Sequence, residues 1–103
     1  MQRVQTGDMV QPGTEGLTPP TITRRAQPTY PPIARMQRMQ GTVIVNALIN
    51  ENGQVTDTRI LSSASVILND AAVQSVRRSA FTPGTKDGVR VKSWLPVRVE
   101  FKL

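Results

Sequence analysis

Residues 88–103, "GVRVKSWLPVRVEFKL", contain the most regular pattern in the chain. Apolar and charged side chains alternate along it, and the apolar positions are Val89, Val91, Leu95, Val97, Val99, Phe101 and Leu103. A period of two is typical of a β-strand with one face on a core and one in solvent, so we predict one long strand here. Pro96 lies inside this stretch and has no N–H group, which predicts an edge strand. Charged residues along such an edge either protect it or mark a docking site, and the pattern leaves both interpretations open.

The stretch that precedes this strand predicts a hairpin and a helix. Residues 42–62 contain two β-rich runs, "TVIVNALI" and "VTDTRILSS", with Asn52-Gly53 between them as the signal for a two-residue turn. Residues 66–80 have the four-residue spacing of an amphipathic helix, with apolar side chains at Leu68, Ala72, Val76 and Ala80. Asn69 or Asp70 is expected to cap the start of this helix, and Pro83-Gly84 follows its end.

A shorter helix is predicted for residues 31–40, "PPIARMQRMQ", because proline is well tolerated in a first helical turn. Gly41 is expected to end it in a left-handed turn. In the preceding segment "RAQPTYPP", residues 25–32, Gln27-Pro28 favours an extended chain, and Tyr30 is expected to pack against the core. The predicted fold class is therefore α+β, a three-stranded antiparallel sheet with two helices packed on one face.

Composition limits the functions that this chain can perform. It has 103 residues, a net charge of +6, no Cys and no His. Residues 1–26 are rich in Pro, Gly and Thr, so we expect a flexible linker there and one domain over residues 27–103. Without His, the chain lacks the usual general base and metal ligand, and we expect no enzyme activity, cofactor or metal site. The cations are scattered and not arranged as a stripe with interleaved aromatics, which disfavours a nucleic-acid partner.

No apolar stretch predicts a secretion signal or a membrane span. The chain is therefore expected to be either a cytoplasmic protein or a fragment of a longer one.

Several motifs together resemble the C-terminal domain of TonB-type energy transducers, over residues 25–103. These motifs are Tyr30-Pro31, Gly41 to Val43, Asn52 to Val55, Leu61 to Ser63, Arg77 to Pro83 and Phe101 to Leu103. Each is weak alone, but their order and spacing are specific to the family.

The resemblance implies a periplasmic adaptor, anchored in the inner membrane by an N-terminal helix that is absent from these residues. Such adaptors connect an ExbB–ExbD-type motor, driven by the proton-motive force, to outer-membrane receptors for siderophores, vitamin B12 or similar cargo. The receptor's TonB box is added as a strand to the last strand of the domain. Carried over to this sequence, the box-binding residues are Arg25, Gln27, Pro28, Tyr30, Pro31, Val97, Arg98, Val99, Glu100 and Phe101.

Other outcomes stay open at this point. Pro96 removes one donor near the docking edge, which is expected to shift or shorten the pairing. Trp94 is expected to point outward, either stacked on Arg or Lys stems or in contact with a partner. The long terminal strand favours homodimers through edge pairing. The alternatives for function are a TolA-like or dedicated transducer with another periplasmic partner, or a basic nucleic-acid-binding module.

Overall fold

A computed structural model describes residues 3–103 of the chain. In chain order its elements are β1 (Leu17–Thr18), β2 (Thr21–Arg24), α1 (Pro32–Met36), β3 (Gly41–Ile49), β4 (Val55–Ser63), a 3₁₀ turn (Val66–Leu68), α2 (Asn69–Arg78), β5 (Ala80–Thr82), β6 (Gly84–Lys86), β7 (Val89–Val91) and β8 (Ser93–Phe101). None of the helices formed by residues 3–103 has the length and apolar composition needed to cross a membrane.

The central sheet has the antiparallel order β4-β3-β8. Its odd-numbered residues in β3 and β8 face the helices, as the alternating pattern predicts, and all of them except the half-buried Gly41 and Leu95 are buried. They form the core together with side chains from both helices, and the cluster includes Ala34, Val43, Val45, Ala47, Ile49, Leu68, Ala72, Val76, Val97, Val99 and Phe101. The predicted combination of antiparallel strands and two helices is confirmed. The prediction of one three-stranded sheet is too simple, because two smaller sheets, β1-β6-β7 and β2-β5, are also present.

The stretch predicted as one strand over residues 88–103 is divided at Lys92. β7 pairs with β6, whereas β8 pairs with β3. Val91 and Ser93 are both fully buried, so the alternation of inward and outward residues continues across the break. For that reason the periodicity of the sequence could not reveal that the strand changes partners.

The hairpin turn between β3 and β4 has three residues, Glu51 to Gly53, and not the two that were predicted. It is closed by hydrogen bonds from Asn50 N to Gln54 O and from Gly53 N to Asn50 O, both 2.9 Å long. The side chain of Asn50 also accepts hydrogen bonds from the backbone N–H groups of Asn52 and Gln54. Gly53 has a φ of 78°, as a three-residue hairpin with a left-handed last residue requires.

Both helices are shorter than predicted, and their ends are formed by different residues. α1 ends at Met36, and Arg38, not Gly41, takes the left-handed conformation that follows it. Gly41 instead begins β3 at a point where a Cβ atom would lie 2.4 Å from Cβ of Ala64. Ser65 caps the 3₁₀ turn that leads into α2, since its Oγ accepts a hydrogen bond from Ile67 N. The N-cap position of α2 is Leu68, without a side-chain hydrogen bond, so neither Asn69 nor Asp70 acts as the cap.

The segment predicted as a flexible linker is paired with the rest of the chain over much of its length. β1 pairs with β6 and β2 with β5, both antiparallel. Residues 7–10 run beside Arg90 and Lys92, where Lys92 N donates to Asp8 O at 2.8 Å and Val10 N donates to Lys92 O at 2.9 Å. Composition did not predict this, because the segment is held mainly by backbone hydrogen bonds and by few apolar side chains, such as the buried Val10. The boundary between residues 26 and 27 stays a prediction.

Candidate functional site

An open groove of about 530 Å³ lies between β8 and the segment that connects β2 to α1. One wall is formed by Arg98, Val99, Glu100 and Lys102, and the other by residues 25–28. Ser75 of α2 lies between the two walls. The groove therefore brings together the two parts of the predicted site that are most distant in sequence.

On the side that faces this groove, the backbone of β8 pairs with no other strand among residues 3–103. Arg98 O accepts a hydrogen bond from the side chain of Arg25 and therefore points away from β3. Because the N–H and C=O groups of one residue in a strand point to the same side and successive residues alternate, Pro96 and Glu100 also point toward the groove side. Val97, Val99 and Phe101 pair inward with β3.

Pro96 is one of the residues of β8 whose backbone groups point away from β3, and this explains why the sheet tolerates it. Its missing N–H group lies on the outward side, so the ladder between β3 and β8 loses no hydrogen bond. The outward edge, in contrast, has donors at Arg98 and Glu100 but none at residue 96. The position of Pro96 thus agrees with the prediction of an edge strand, and only the outer edge loses a hydrogen-bond donor.

The two edges of the central sheet differ in regularity. β8 is in register with β3 over nine successive residue pairs, from Ile49↔Ser93 to Gly41↔Phe101. On the opposite edge, the pairing of β4 with β3 shifts register twice, between Ile44 and Val45 and between Leu48 and Ile49. Bulges of this kind twist an edge and hinder the addition of a further strand. Of the two edges, that of β8 is the one suited to accept another strand.

The second wall of the groove is held in place by α2. Ser75 is 3% exposed and donates a hydrogen bond to Ala26 O at 2.7 Å. Ser79 Oγ accepts from Ala26 N at 3.0 Å, and Arg78 donates to Gln27 O at 3.3 Å. Both backbone groups of Ala26 are therefore satisfied, by Ser75 of α2 and by Ser79 directly after it, which fixes the chain beside the β8 edge.

The structure places the predicted site residues in different positions. Arg25, Gln27, Pro28, Arg98, Val99 and Glu100 line the groove. Val97, Val99 and Phe101 have side chains that are at most 5% exposed, and their backbone groups pair with β3, so they offer no outward hydrogen bonds to a docking strand.

Tyr30 and Pro31 do not line the groove and have structural roles. The Tyr30 ring packs edge-on against Phe101, with 5.6 Å between ring centroids, and its hydroxyl donates to Met39 O. The guanidinium of Arg35 lies 5.1 Å from the centroid of the same ring. Pro31 precedes the first turn of α1, where its carbonyl accepts from Arg35 N at 2.9 Å.

Trp94 is half-buried on the face of the sheet opposite the helices. The guanidinium of Arg59 on β4 lies 5.1 Å from the centroid of the Trp94 ring. This contact matches the expected stacking on an arginine, whereas a contact with a partner stays a prediction.

Three residues that line the groove were not predicted from the sequence: Ala26, Ser75 and Lys102. Ser75 occupies a position in α2 between Ala72 and Val76, and a buried serine on the apolar side of a helix indicates a bound backbone group. The cations of the groove are Arg25, Arg98 and Lys102, and its one carboxylate, Glu100, lies 4.0 Å from Lys102. Within residues 3–103, no cluster of three or more His, Cys, Asp or Glu side chains is arranged to hold a metal ion.

The sequence was compared with those of known families and proteins. The model of the family described as Gram-negative bacterial TonB protein C-terminal matches residues 26–103. Protein TonB of Vibrio cholerae serotype O1 is 30% identical over 86 residues, which are 82% of this chain and 35% of that protein. Protein tonB2 of Pseudomonas aeruginosa is 30% identical over 77 residues, which are 74% of this chain and 28% of that protein. The chain thus spans about a third of the length of these relatives.

A solved structure has the same fold. The solution NMR structure of the Pseudomonas aeruginosa TonB CTD aligns with a TM-score of 0.64 and covers 91% of this chain and 93% of its own. The two sequences are 23% identical in this alignment, so the similarity concerns the fold.

Proposed function

This chain belongs to the family of Gram-negative bacterial TonB protein C-terminal domains, and we propose that it is the receptor-binding part of an energy-transducing adaptor. In this proposal the domain works in the periplasm and binds the TonB box of outer-membrane receptors. Coupling to an ExbB–ExbD-type motor, to the proton-motive force and to uptake of siderophores, vitamin B12 or similar cargo belongs to the same proposal. The adaptor makes and breaks no covalent bond.

The observation that carries the proposal is the regular edge of β8, which pairs with no strand of the described chain on its outer side and lies beside a fixed wall. A strand that adds to this edge pairs with the outward groups of Arg98 and Glu100 and with the carbonyl of Pro96. Each backbone hydrogen bond contributes about 0.5–1.5 kcal/mol after the loss of bonds to water. Because such pairing involves the backbone, it accepts a range of receptor sequences.

The wall formed by residues 25–28 supplies side-chain contacts to the docked strand. Gln27 is exposed, but its carbonyl is held by Arg78, so its amide side chain projects from a fixed backbone. An ordered wall reduces the entropy that binding must overcome. Tyr30 and Pro31 act indirectly in this scheme, since they hold the start of α1 against Phe101.

Titration of the labelled chain with TonB-box peptides from receptors of the same organism tests the proposal. We expect the largest amide shifts at Arg98, Glu100 and Gln27, and small shifts in β4. A matched control peptide has proline at alternate positions, which removes the donors that face β8, and it should cause no such shifts. Absence of shifts with every peptide, or shifts confined to β4, would contradict the proposal.

A second copy of the chain is the competing occupant of the same edge. Sedimentation of the free chain over a range of concentrations separates the two cases. If dimers form at the concentrations of the titration, peptide should dissociate them, because both occupants need the outward groups of Arg98 and Glu100.

A further inference from the structure

One polar group of the docking edge already has a partner in the free chain. Arg25 Nη1 donates a hydrogen bond to Arg98 O, and the distance between these atoms is 2.8 Å. This carbonyl lies at the middle of the outward set formed by Pro96, Arg98 and Glu100. A strand that docks there must share the acceptor with the guanidinium or displace it.

The side chain of Arg25 can be displaced without a movement of its backbone. Its neighbour Ala26 is held at both backbone groups by Ser75 and Ser79, so the Cα atom of Arg25 stays beside the groove. The side chain is exposed, and rotation about its own bonds is enough to release Arg98 O. The fixed backbone keeps the released guanidinium close to any strand in the groove.

The charge on Arg25 is not neutralised within the described chain. The one ion pair found among residues 3–103 joins Lys102 to Glu100, and the partner of the Arg25 side chain is a neutral carbonyl. Hydrogen bonds from a guanidinium to a carboxylate are shorter and stronger than those to a neutral acceptor. A ligand with a carboxylate near Arg25 therefore offers it a better partner than Arg98 O.

From these contacts we propose that Arg25 is a displaceable cap on the docking edge and a specificity-determining residue of the groove. In the free chain its hydrogen bond occupies Arg98 O, which disfavours the binding of strands that lack a carboxylate. When an acidic strand docks, the guanidinium moves to its carboxylate, and Arg98 O becomes free to accept a hydrogen bond from the backbone of that strand. This inference rests on the proposed function, because it assumes that a strand docks at β8.

Paired peptides test the cap. An alternating Thr/Val strand carries a single Glu at each position in turn, and each peptide is compared with its Gln counterpart by isothermal titration calorimetry or NMR. At one or two positions the wild-type chain should bind the Glu peptide about fivefold more tightly, a typical effect of one partly exposed charge pair. Arg25→Gln should bind the Glu and Gln peptides with about equal affinity. It should bind the Gln peptide at least as tightly as the wild-type chain does.

Arg77→Gln is the matched control, because it removes the same charge from α2 at a residue that does not line the groove. It should keep the full preference for Glu. Arg25→Lys should keep part of it, since lysine retains the charge without the planar fork. The preference of the wild type should also decrease in high salt.

Two outcomes would overturn the cap, and a third concerns the proposed function. If Glu and Gln peptides bind the wild type equally at every position, or if Arg25→Gln retains the preference, the cap is wrong while strand docking stands. If no peptide binds to any variant, strand docking at β8 is wrong as well, and the cap is overturned with it.

Discussion

Gly53 is a single residue on which the hairpin depends. Its φ of 78° is in the left-handed region, and a Cβ atom there would lie 2.4 Å from the carbonyl oxygen of Phe81. Gly53→Ala therefore combines conformational strain of about 1–2 kcal/mol with a clash against backbone. We expect it to lower the free energy of unfolding by about 3 kcal/mol or more, measured by urea denaturation.

Gly13 provides the control for this change. Its φ is 82°, but a Cβ atom would have no neighbour within 4 Å. Gly13→Ala should therefore show the strain alone, about 1–2 kcal/mol at most. Equal losses in the two variants would mean that the contact between the hairpin and Phe81 is unimportant.

Ser75 is the second residue with a testable role, since it fixes the wall of the groove. Ser75→Ala leaves Ala26 O without its side-chain donor, which we expect to cost about 1 kcal/mol of stability. The amides of Ala26 and Gln27 should exchange with solvent about fivefold faster, as hydrogen-exchange NMR would detect. In Ser62→Ala, where the serine is exposed, these amides should keep their wild-type rates. Unchanged rates in Ser75→Ala would mean that the wall is held by other contacts.

At the scale of elements, the inward and outward backbone groups of β8 have different roles. Its inward N–H groups hold the sheet, and its outward groups are available for docking. Pro96→Thr adds an outward donor, so we expect stability to change by less than about 1 kcal/mol while TonB-box peptides bind about fivefold more tightly. Urea denaturation and peptide titration of the same variant measure both effects.

Val97→Pro is the opposite change one residue later. It removes an inward donor from the pairing with β3 and should cost about 3 kcal/mol or more of stability. If Pro96→Thr proved the more damaging of the two, the assignment of inward and outward residues in β8 would be reversed.

The elements also indicate how far the sequence determines this fold. The β-rich runs around Asn52-Gly53 identified the hairpin. Periodicity identified α2 and the strand at the end of the chain, because each buries one face on a common core. It missed the division at Lys92 and the cap at Ser65, because changes of partner and local hydrogen bonds leave no periodic signal. In the site, the motif around Gln27 predicted one wall through resemblance. The serines that hold this wall were missed, because their partner is a backbone group distant in sequence.

At the scale of the whole molecule, the chain is elongated, with principal extents of 56 × 20 × 16 Å. The main hydrophobic core is formed by residues between Ala34 and Phe101, so residues 3–24 contribute to it little more than Ile22. They form strands against β5 and β6 and a bridge to Lys92. The N-terminal segment thus extends the fold along its length and adds little to the core.

This arrangement predicts the behaviour of a chain that begins at Arg25. Removal of residues 1–24 loses backbone hydrogen bonds and the burial of Val10, but it also removes the entropy cost of ordering residues 3–24. Because these terms oppose each other, we expect a net loss of stability below about 3 kcal/mol, with the central sheet still folded. Hydrogen exchange should become faster at Phe81, Thr82 and Lys92 and stay slow from Val43 to Ile49. Loss of protection in β3 would contradict this expectation and make the N-terminal segment an integral part of the domain.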